Sequence, residues 1–260
     1  MLPNFLIIGA ARSGTTSLYS ALRTHPDVYL PRHKRPEPHF FLKQAEFTNG
    51  LGYYEDRYFA DWNGQHAVGE ASTSYLLGEK VPARVADALP EVKLICVLRN
   101  PIDRAFSGYW HTVASGLETL PFDQALAEEA SRRRELAGTP LGEIAPFAYV
   151  ERGLYHEQLV RWLEVFPRSR IQIILFEDLV GDSQRVLHGL AGFLGIPAGG
   201  FGRSDLFKEN PSVPDGAQLS AAQRLSLAER FRTDVTALGT LLHRDLRHWL
   251  ETHQTARLDR

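Results

Sequence analysis

The sequence lacks the features on which several protein classes depend. It has one cysteine among 260 residues, Cys96, so no internal disulfide can form. That cysteine lies in the mostly apolar run Val92–Leu98, where we expect a small buried side chain rather than a nucleophile. No segment approaches the ~18 consecutive apolar residues of a membrane helix, and the first residues lack the basic leader of a signal peptide. We therefore expect a cytoplasmic protein without an integral membrane segment.

Excess charge of either sign is also lacking. The formal net charge is −2 and the isoelectric point is about 6.6, whereas proteins that bind nucleic acids usually carry a basic surface. We therefore expect no nucleic-acid partner. Ten histidines are present, but no His-Glu-x-x-His motif or cysteine cluster, so we expect no metal.

The distribution of apolar residues predicts an α/β fold. Three short apolar runs are typical of buried strands, and a helical pattern follows each of them. The strands are predicted at Phe5–Ile8, Lys93–Leu98 and Ile171–Phe176, and the helices after them at Thr15–Arg23, Pro101–Ala114 and Ser183–Leu194. Asn100 is expected to cap the second helix, and Asp182 or Ser183 the third. This alternation indicates a central parallel sheet flanked by helices, in a single domain spanning residues 1–260.

Weaker patterns complete the chain. Further helices are predicted at Val81–Leu89, Phe122–Glu135, His156–Phe166, Ala221–Phe231 and Thr233–Leu242. Gly116–Pro146 is interpreted as an insertion, and Gly199–Gly216 as a surface loop because it is rich in Gly, Pro and Ser.

The first strand and helix are joined by a loop with the chemistry of an anion site. In the segment Gly9–Thr16 the two glycines stand five residues apart, as in a P-loop. Such a loop directs backbone N–H groups and the positive end of a helix dipole at an oxyanion, and Arg12 adds a planar cation. Thr15 stands where a magnesium-nucleotide P-loop has its lysine. The loop therefore favours an anion other than the β/γ-phosphates of a magnesium nucleotide; a simple glycine turn is the alternative.

This loop, followed by Ser17-Leu18-Tyr19 and His25-Pro26, resembles the 5′-phosphosulfate loop of the sulfotransferases. The resemblance is greatest to the branch that contains the heparan sulfate sulfotransferases and their bacterial relatives, and extends from Phe5 to about Trp249. It implies a P-loop-like sulfotransferase fold, a bacterial origin and the donor 3′-phosphoadenosine 5′-phosphosulfate. The implied donor-binding residues of the loop are Arg12, Ser13, Gly14, Thr15 and Thr16. Relatives usually carry lysine at the position of Arg12.

A second motif follows the Lys93–Leu98 strand. Arg99 leaves the predicted carboxyl end of that strand, where ligands bind in parallel α/β sheets, and Ser107 lies on the next helix. The pair resembles the family's 3′-phosphate motif. Alone, Arg99 would be interpreted as a surface arginine paired with Asp103, and Ser107 as a hydroxyl bonded to a helix carbonyl. By resemblance, Arg152, Tyr155 and Lys208 are added to the donor site, although for Lys208 on its own a solvated loop residue is the preferred interpretation.

The acceptor side is predicted around Glu37 and His39. A hydroxyl that attacks sulfur must lose a proton, so a carboxylate or imidazole is required nearby. The segment Glu37–Phe41 resembles the family's Glu-x-His-Phe-Phe element, which implies that Glu37 is the base and Arg12 and His39 assist. If the segment is extended, Glu37 and His39 face the same side, and either could reach the acceptor. Phe40 and Phe41 are expected to be ordinary core.

The predicted function is therefore sulfuryl transfer to a hydroxyl of a carbohydrate, lipid or secondary metabolite. Ala71 stands where glycan-acting relatives carry lysine, which argues against a polyanionic acceptor. Two alternatives stay open: a P-loop small-molecule kinase, and a non-catalytic relative that only binds the nucleotide. Magnesium dependence would identify the first, and a transfer assay would identify the second.

Overall fold

The structure is a computed structural model and describes residues 1–31, 37–202 and 213–251. By its internal contacts the chain forms two compact units. The sheet unit comprises Met1–Arg99 and Arg161–Glu209, and the helical unit comprises Asn100–Val160 and Asn210–Arg260. Among the described residues, no helix is both long and apolar enough to cross a membrane.

The elements alternate along the chain. The strands are β1 (Phe5–Gly9), β2 (Val28–Tyr29), β3 (Ala67–Ala71), β4 (Lys93–Leu98) and β5 (Ile171–Leu175). The helices are α1 (Thr15–Leu22), α2 (Gln44–Phe47), α3 (Gly50–Tyr58), α4 (Val81–Ala88), α5 (Pro101–Ala114), α6 (Phe122–Ala127), α7 (Glu129–Glu135), α8 (Pro140–Ile144), α9 (Tyr155–Leu163), α10 (Phe176–Gly181), α11 (Ser183–Leu194) and α12 (Ala221–Leu242).

All five strands pair in parallel in the order β2-β3-β1-β4-β5. Leu6 of β1 is in register with Glu70 of β3 on one side and with Leu94 of β4 on the other. The strands and the apolar faces of α1 and α11 share one core cluster, to which Leu18 and Leu190 contribute. Because parallel strands end at the same edge, the segments that follow β1, β3 and β4 leave the sheet at one side. The predicted fold class, a parallel sheet flanked by helices, is confirmed.

In the helical unit, α5 and α12 frame the short 3₁₀ turn Glu151–Gly153. A Cβ on Gly153 would lie 2.7 Å from the Phe231 ring and 3.0 Å from Pro101, so only glycine fits there. Asp234 of α12 accepts hydrogen bonds from the backbone N–H groups of His156 and Glu157, at 3.1 and 3.2 Å, and so caps the start of α9.

The structure confirms several predicted elements and corrects others. The bounds of β4, α5 and α11 are those predicted, with Asn100 and Asp182 accepting from the N–H groups of Ile102 and Arg185. The two helices predicted after Gly216 are one 22-residue helix, α12, which begins with a capping box at Ser220. The helix predicted over Phe122–Glu135 breaks at Glu128 into α6 and α7, within the predicted insertion.

Two strands, β2 and β3, were not predicted from the sequence because neither is a continuous apolar run. β2 has only two residues, and β3 carries Gly69 and Glu70 at its centre. A Cβ on Gly69 would lie 2.4 Å from the Phe5 ring, so close packing between β1 and β3 demands glycine there.

Candidate active site

The loop between β1 and α1 is shaped by its two glycines. A Cβ on Gly9 would approach Leu76 Cβ to 2.7 Å, and one on Gly14 would approach the Phe176 ring to 2.8 Å. Gly14 also has a φ of +86°, in the left-handed region that favours glycine. Where the loop begins, Ala10 donates its N–H to the Val97 carbonyl at 2.8 Å. The loop is therefore fixed between the strand edge and the aromatic ring of Phe176.

The donors of this loop converge at the start of α1. Gly14 is the N-cap and supplies no side-chain acceptor, so the first N–H groups of α1 remain available to an external anion. Ser13 is fully buried, and its Oγ has no hydrogen-bond partner among the described residues. A buried hydroxyl in this condition at a helix N-terminus fits an oxyanion ligand, which would satisfy it. Thr15 is buried beside it, whereas Thr16 is exposed.

Arg99 lies against the same loop. Its Nη1 donates to the Arg12 carbonyl oxygen at 3.5 Å, and its guanidinium lies 5.0 Å from the centroid of the Phe176 ring. Phe176 thus contacts both the arginine and Gly14, although the sequence analysis assigned it only to the end of a strand. The signal that could have identified it is an aromatic residue at the carboxyl end of β5, the edge where ligands bind.

Three other residues predicted to contact the donor belong to the helical unit. In the helical unit, Ser107 is buried on α5 and Tyr155 is fully buried as the first residue of α9. Arg152 donates to the carbonyl oxygens of Ile144 and Ala145, at 2.5 and 3.4 Å. Asp103, the alternative partner considered for Arg99, pairs with Arg224 at 2.9 Å. Lys208 lies outside the described residues.

Glu37 and His39 form a contacting pair. His39 Nε2 lies 3.2 Å from Glu37 Oε2, and the side chains are 15% and 35% exposed. Thr73 Oγ1 donates to the Glu37 carboxylate at 2.9 Å, and the Thr73 N–H donates to it at 3.3 Å. His39 has a φ of +53°, so the expectation of an extended segment is wrong at this residue. The two side chains meet because the backbone turns there.

The pair lies next to the loop. The carbonyl oxygen of Thr73, the residue that holds Glu37, is 3.2 Å from the position of a Cβ on Gly9. The Ser72 N–H donates to the Ile7 carbonyl at 3.0 Å, and the Leu76 N–H to the Ile8 carbonyl at 2.8 Å. The turn after β3 is therefore fastened to the end of β1, and it carries the carboxylate to the start of the anion loop.

Behind the pair lies a buried carboxylate that the sequence analysis did not single out. Glu70 is fully buried on β3 and accepts hydrogen bonds from Tyr54 Oη at 3.1 Å and Ser72 Oγ at 2.8 Å. Burial raises the pKa of Glu70 to about 7, against the lowering effect of hydrogen bonds from Ser72, Tyr75 and Tyr54. Phe40 and Phe41 are also fully buried, as predicted; Phe40 stacks on the Tyr54 ring, and Phe41 meets that ring edge-on.

Fold and site together define a class: a parallel α/β protein with an anion-type loop after its first strand and a carboxylate–imidazole pair beside it. The chain belongs to the sulfotransferase family, since the sulfotransferase domain matches residues 2–210. Among the described residues, no group of three or more His, Cys, Asp or Glu side chains is placed to hold a metal ion.

Individual relatives agree with this membership. A sulfotransferase of known structure from Alicyclobacillus acidocaldarius is 36% identical, with a TM-score of 0.80 over 96% of this chain and 100% of that one. Mouse heparan sulfate glucosamine 3-O-sulfotransferase 3B1 is 33% identical over 75% of this chain and 46% of its own length. This chain thus spans about half the length of the curated relatives it matches. Mouse sulfotransferase SULT7A1, whose structure is complexed with PAP, shares the fold at 16% identity over 93% of this chain and 88% of that one, with a TM-score of 0.58. The resemblance drawn from the sequence is confirmed.

Proposed function

We propose that this chain transfers the sulfuryl group of 3′-phosphoadenosine 5′-phosphosulfate to a hydroxyl of a carbohydrate, lipid or secondary metabolite. One observation carries the proposal. The carboxylate of Glu37 is held by Thr73, and the carbonyl oxygen of Thr73 adjoins Gly9, the first residue of the anion loop. A base and a cradle for an oxyanion therefore stand side by side, as the transfer of an anionic group to a hydroxyl requires.

The sheet unit supplies donors for the sulfate and 5′-phosphate of the donor molecule. The N–H groups at the start of α1, the Ser13 hydroxyl and the positive helix end favour bound anionic oxygens. Arg12 and Arg99 add two cations at the loop. We assign the 3′-phosphate to Arg99; the participation of Ser107, Arg152, Tyr155 and Lys208 stays a prediction from the resemblance. PAP, the nucleotide bound by the mouse relative, is the product that this reaction would release.

The reaction is an in-line displacement at sulfur. As the acceptor oxygen bonds to sulfur, Glu37 takes the hydroxyl proton, and the bond between sulfur and the 5′-phosphate oxygen breaks to release adenosine 3′,5′-bisphosphate. An arginine stays protonated, so Arg12 stabilises charge on the sulfuryl oxygens and on the bridging oxygen, and it cannot donate a proton to the leaving group. No step needs a metal ion. His39 contacts Glu37 and orients it toward the acceptor.

The acceptor is a hydroxyl compound of low charge. Curated relatives are named for heparan sulfate glucosamine, which supports a carbohydrate. The net charge of −2 and the presence of Ala71 in place of a lysine disfavour a polyanion. We place the protein in the cytoplasm of a bacterium, because its single cysteine is buried, as suits a reducing compartment, and because its bacterial structural relative covers nearly the whole chain.

The test is transfer of a radiolabelled sulfuryl group from the donor to a panel of neutral sugars, lipid alcohols and phenols, with EDTA present. We expect transfer to at least one acceptor class at a rate unchanged by EDTA. A kinase would instead use ATP and stop in EDTA, and a non-catalytic relative would bind adenosine 3′,5′-bisphosphate without transfer. Either result would reject the proposal.

Two glycine variants provide a matched comparison. Gly14→Ala forces a Cβ against Phe176, whereas Gly189→Ala adds one where no atom lies within 4 Å. We expect the first variant to lose transfer and bisphosphate binding together, and the second to behave as wild type. Equal activity of both variants would show that the loop is not the donor site.

A further inference from the structure

The buried carboxylate of Glu70 gathers three hydroxyl groups. Tyr54 Oη and Ser72 Oγ donate to it at 3.1 and 2.8 Å, and the hydroxyl of Tyr75 also hydrogen-bonds to it. An ionised carboxylate only accepts hydrogen bonds, so it directs all three hydroxyl protons toward itself. The oxygen lone pairs of Ser72 and Tyr75 then point away from Glu70 and can accept from other groups.

Two of those hydroxyls hold the backbone of the acceptor-side segment. The His39 N–H donates to Ser72 Oγ at 2.8 Å, and the Phe41 N–H donates to the hydroxyl of Tyr75 at 3.2 Å. His39 has a φ of +53°, a conformation that is uncommon for a non-glycine residue. Within the turn, the His39 carbonyl accepts from the N–H groups of Leu42 and Lys43. Ser72 and Tyr75 hold this turn from outside, and the turn brings His39 Nε2 to within 3.2 Å of Glu37 Oε2.

We propose that Glu70 is a positioning residue for sulfuryl transfer: through the hydroxyls of Ser72 and Tyr75 it fixes the backbone of His39 and Phe41, and so the placement of the Glu37–His39 pair beside the loop. The inference rests on the proposed function and adds to it a residue that does not touch the reacting atoms. A glutamine at position 70 would present an N–H₂ group in place of one acceptor oxygen. At least one hydroxyl would then have to turn, and where that hydroxyl is the one of Ser72 or Tyr75 it would release its backbone N–H.

The state of Glu70 is set by groups from several elements. The titratable side chains that act on it, or on which it acts, are Tyr19, Glu37, Tyr54, Tyr58 and Tyr75. Burial is the largest influence on its pKa; together with the charge of Glu37 it outweighs the hydrogen bonds and brings the pKa to about 7. Glu70 therefore changes its protonation state near neutral pH. Its ionised form, which accepts from all three hydroxyls and so holds the turn, predominates only above that range.

The experiment measures kcat, bisphosphate affinity and the pH profile of kcat for Glu70→Gln, Ser72→Ala and the double variant. We expect each single variant to lower kcat about tenfold while the Kd for adenosine 3′,5′-bisphosphate changes less than twofold. Because both residues act through one contact, the double variant should be no slower than Glu70→Gln. The wild-type kcat should rise with pH through about 7, and that limb should vanish in Glu70→Gln.

A matched control separates positioning from the general loss of a buried carboxylate. Glu118 of the helical unit has a side chain that is 0% exposed and accepts from a tyrosine hydroxyl, that of Tyr149, at 2.7 Å. Glu118→Gln should keep the wild-type kcat and pH profile. If Glu70→Gln does not fold, the kcat and the bisphosphate affinity of Ser72→Ala alone test the inference.

The outcomes are distinct. A wild-type kcat and pH profile in Glu70→Gln and Ser72→Ala would overturn the inference and leave the proposed function intact. Loss of bisphosphate binding in parallel with kcat would also overturn it, since the network would then only support the fold. Absence of transfer by the wild-type protein would reject the proposed function, and the inference with it.

Discussion

Two buried carboxylates, one in each unit, have opposite surroundings. Glu118 in the helical unit pairs with Arg132 at 2.6 Å and accepts from Tyr149 and from the N–H groups of Thr119 and Leu120. Burial alone would raise its pKa, but Arg132, the Leu120 N–H and Tyr149 together lower it. Glu70 in the sheet unit is held by hydroxyl groups, and its pKa is raised to about 7.

The difference in surroundings indicates different roles: Glu118 stabilises the fold, whereas Glu70 is part of the candidate active site. A carboxylate paired with arginine stays charged and fastens one region of the fold at all ordinary pH values. A buried carboxylate held by hydroxyls lies close to its titration point, and such groups concentrate at functional sites. The Glu70 network ends at Glu37 and the anion loop, whereas the Glu118 network ends in backbone groups of its own unit.

The same comparison can be made between Arg12 of the sheet unit and Arg132 of the helical unit. The largest expected effect is the loss of kcat on substitution of Arg12. Arg12→Ala should lower kcat by about 100-fold or more, the usual scale for loss of a group that stabilises transition-state charge. The Kd for adenosine 3′,5′-bisphosphate should change little, since we place Arg12 on the sulfate side. Arg12→Lys should keep substantial activity, and steady-state kinetics with the labelled donor measures all three quantities.

An inactive, folded Arg12→Lys would show that the planar geometry of the guanidinium matters more than its charge. Unchanged kcat in Arg12→Ala would remove Arg12 from the mechanism.

The second-largest expected effect is on the pH dependence of stability, and it concerns Glu70. The folded-state pKa of Glu70, about 7, is above the ordinary glutamate pKa of 4.5, so the folded state binds the extra proton and wild-type stability falls as pH rises between these values. Glu70→Gln lacks this titration. Relative to wild type, its free energy of unfolding should therefore increase by about 2 kcal/mol between pH 5 and pH 7. Urea denaturation at a series of pH values measures the difference; a constant difference would contradict the account.

The third effect, at the arginine of the helical unit, is on stability and leaves activity unchanged, whereas the first is on activity. Arg132→Met leaves the Glu118 carboxylate buried without its cation and should reduce the free energy of unfolding by about 1.5 kcal/mol, less than for a fully buried pair because Arg132 is 19% exposed. The loss should be largest above the ordinary glutamate pKa, because Glu118 has a lowered pKa and its contribution disappears as pH falls. Transfer activity should not change, and a large fall in kcat would break the distinction between the two networks.

The smallest effect concerns an exposed carboxylate, that of Asp182, which accepts from the Arg185 N–H at 3.0 Å and caps α11. Asp182→Ala should reduce the free energy of unfolding by about 1 kcal/mol with no change in kcat. Thermal denaturation measures it. A loss as large as that of Arg132→Met would mean that burial does not distinguish these carboxylates.

The sequence predicted those parts of the structure that depend on interactions between residues close together in the chain. Asn100 before Pro101 fixes the start of α5, and the two glycines of the first loop meet close neighbours in the structure, as a strand-to-helix turn demands. Chemistry alone left Glu37 and His39 open as the base, and the resemblance favoured Glu37. Strand order and the resemblance together predicted Arg99, and the structure brings Glu37 and Arg99 to the loop that begins at Gly9.

Tertiary contacts determine the rest. Glu70 lies mid-strand beside Gly69, so β3 shows no apolar run, and nothing local reveals that hydroxyls from α3 and from the turn after β3 converge on it. The turn at His39 was missed for the same reason, because the side chain that accepts from the His39 N–H is that of Ser72, 33 residues away.

The most direct measurement compares Glu37→Gln with Glu118→Gln in single-turnover transfer of the labelled sulfuryl group, alongside bisphosphate binding. The account predicts that Glu37→Gln, nearly isosteric, lowers the rate about 100-fold or more with unchanged binding, since it removes the base. His39→Asn should lower it less, and Glu118→Gln should leave it at the wild-type value. An active Glu37→Gln with an inactive His39→Asn would make the histidine the base and contradict the account.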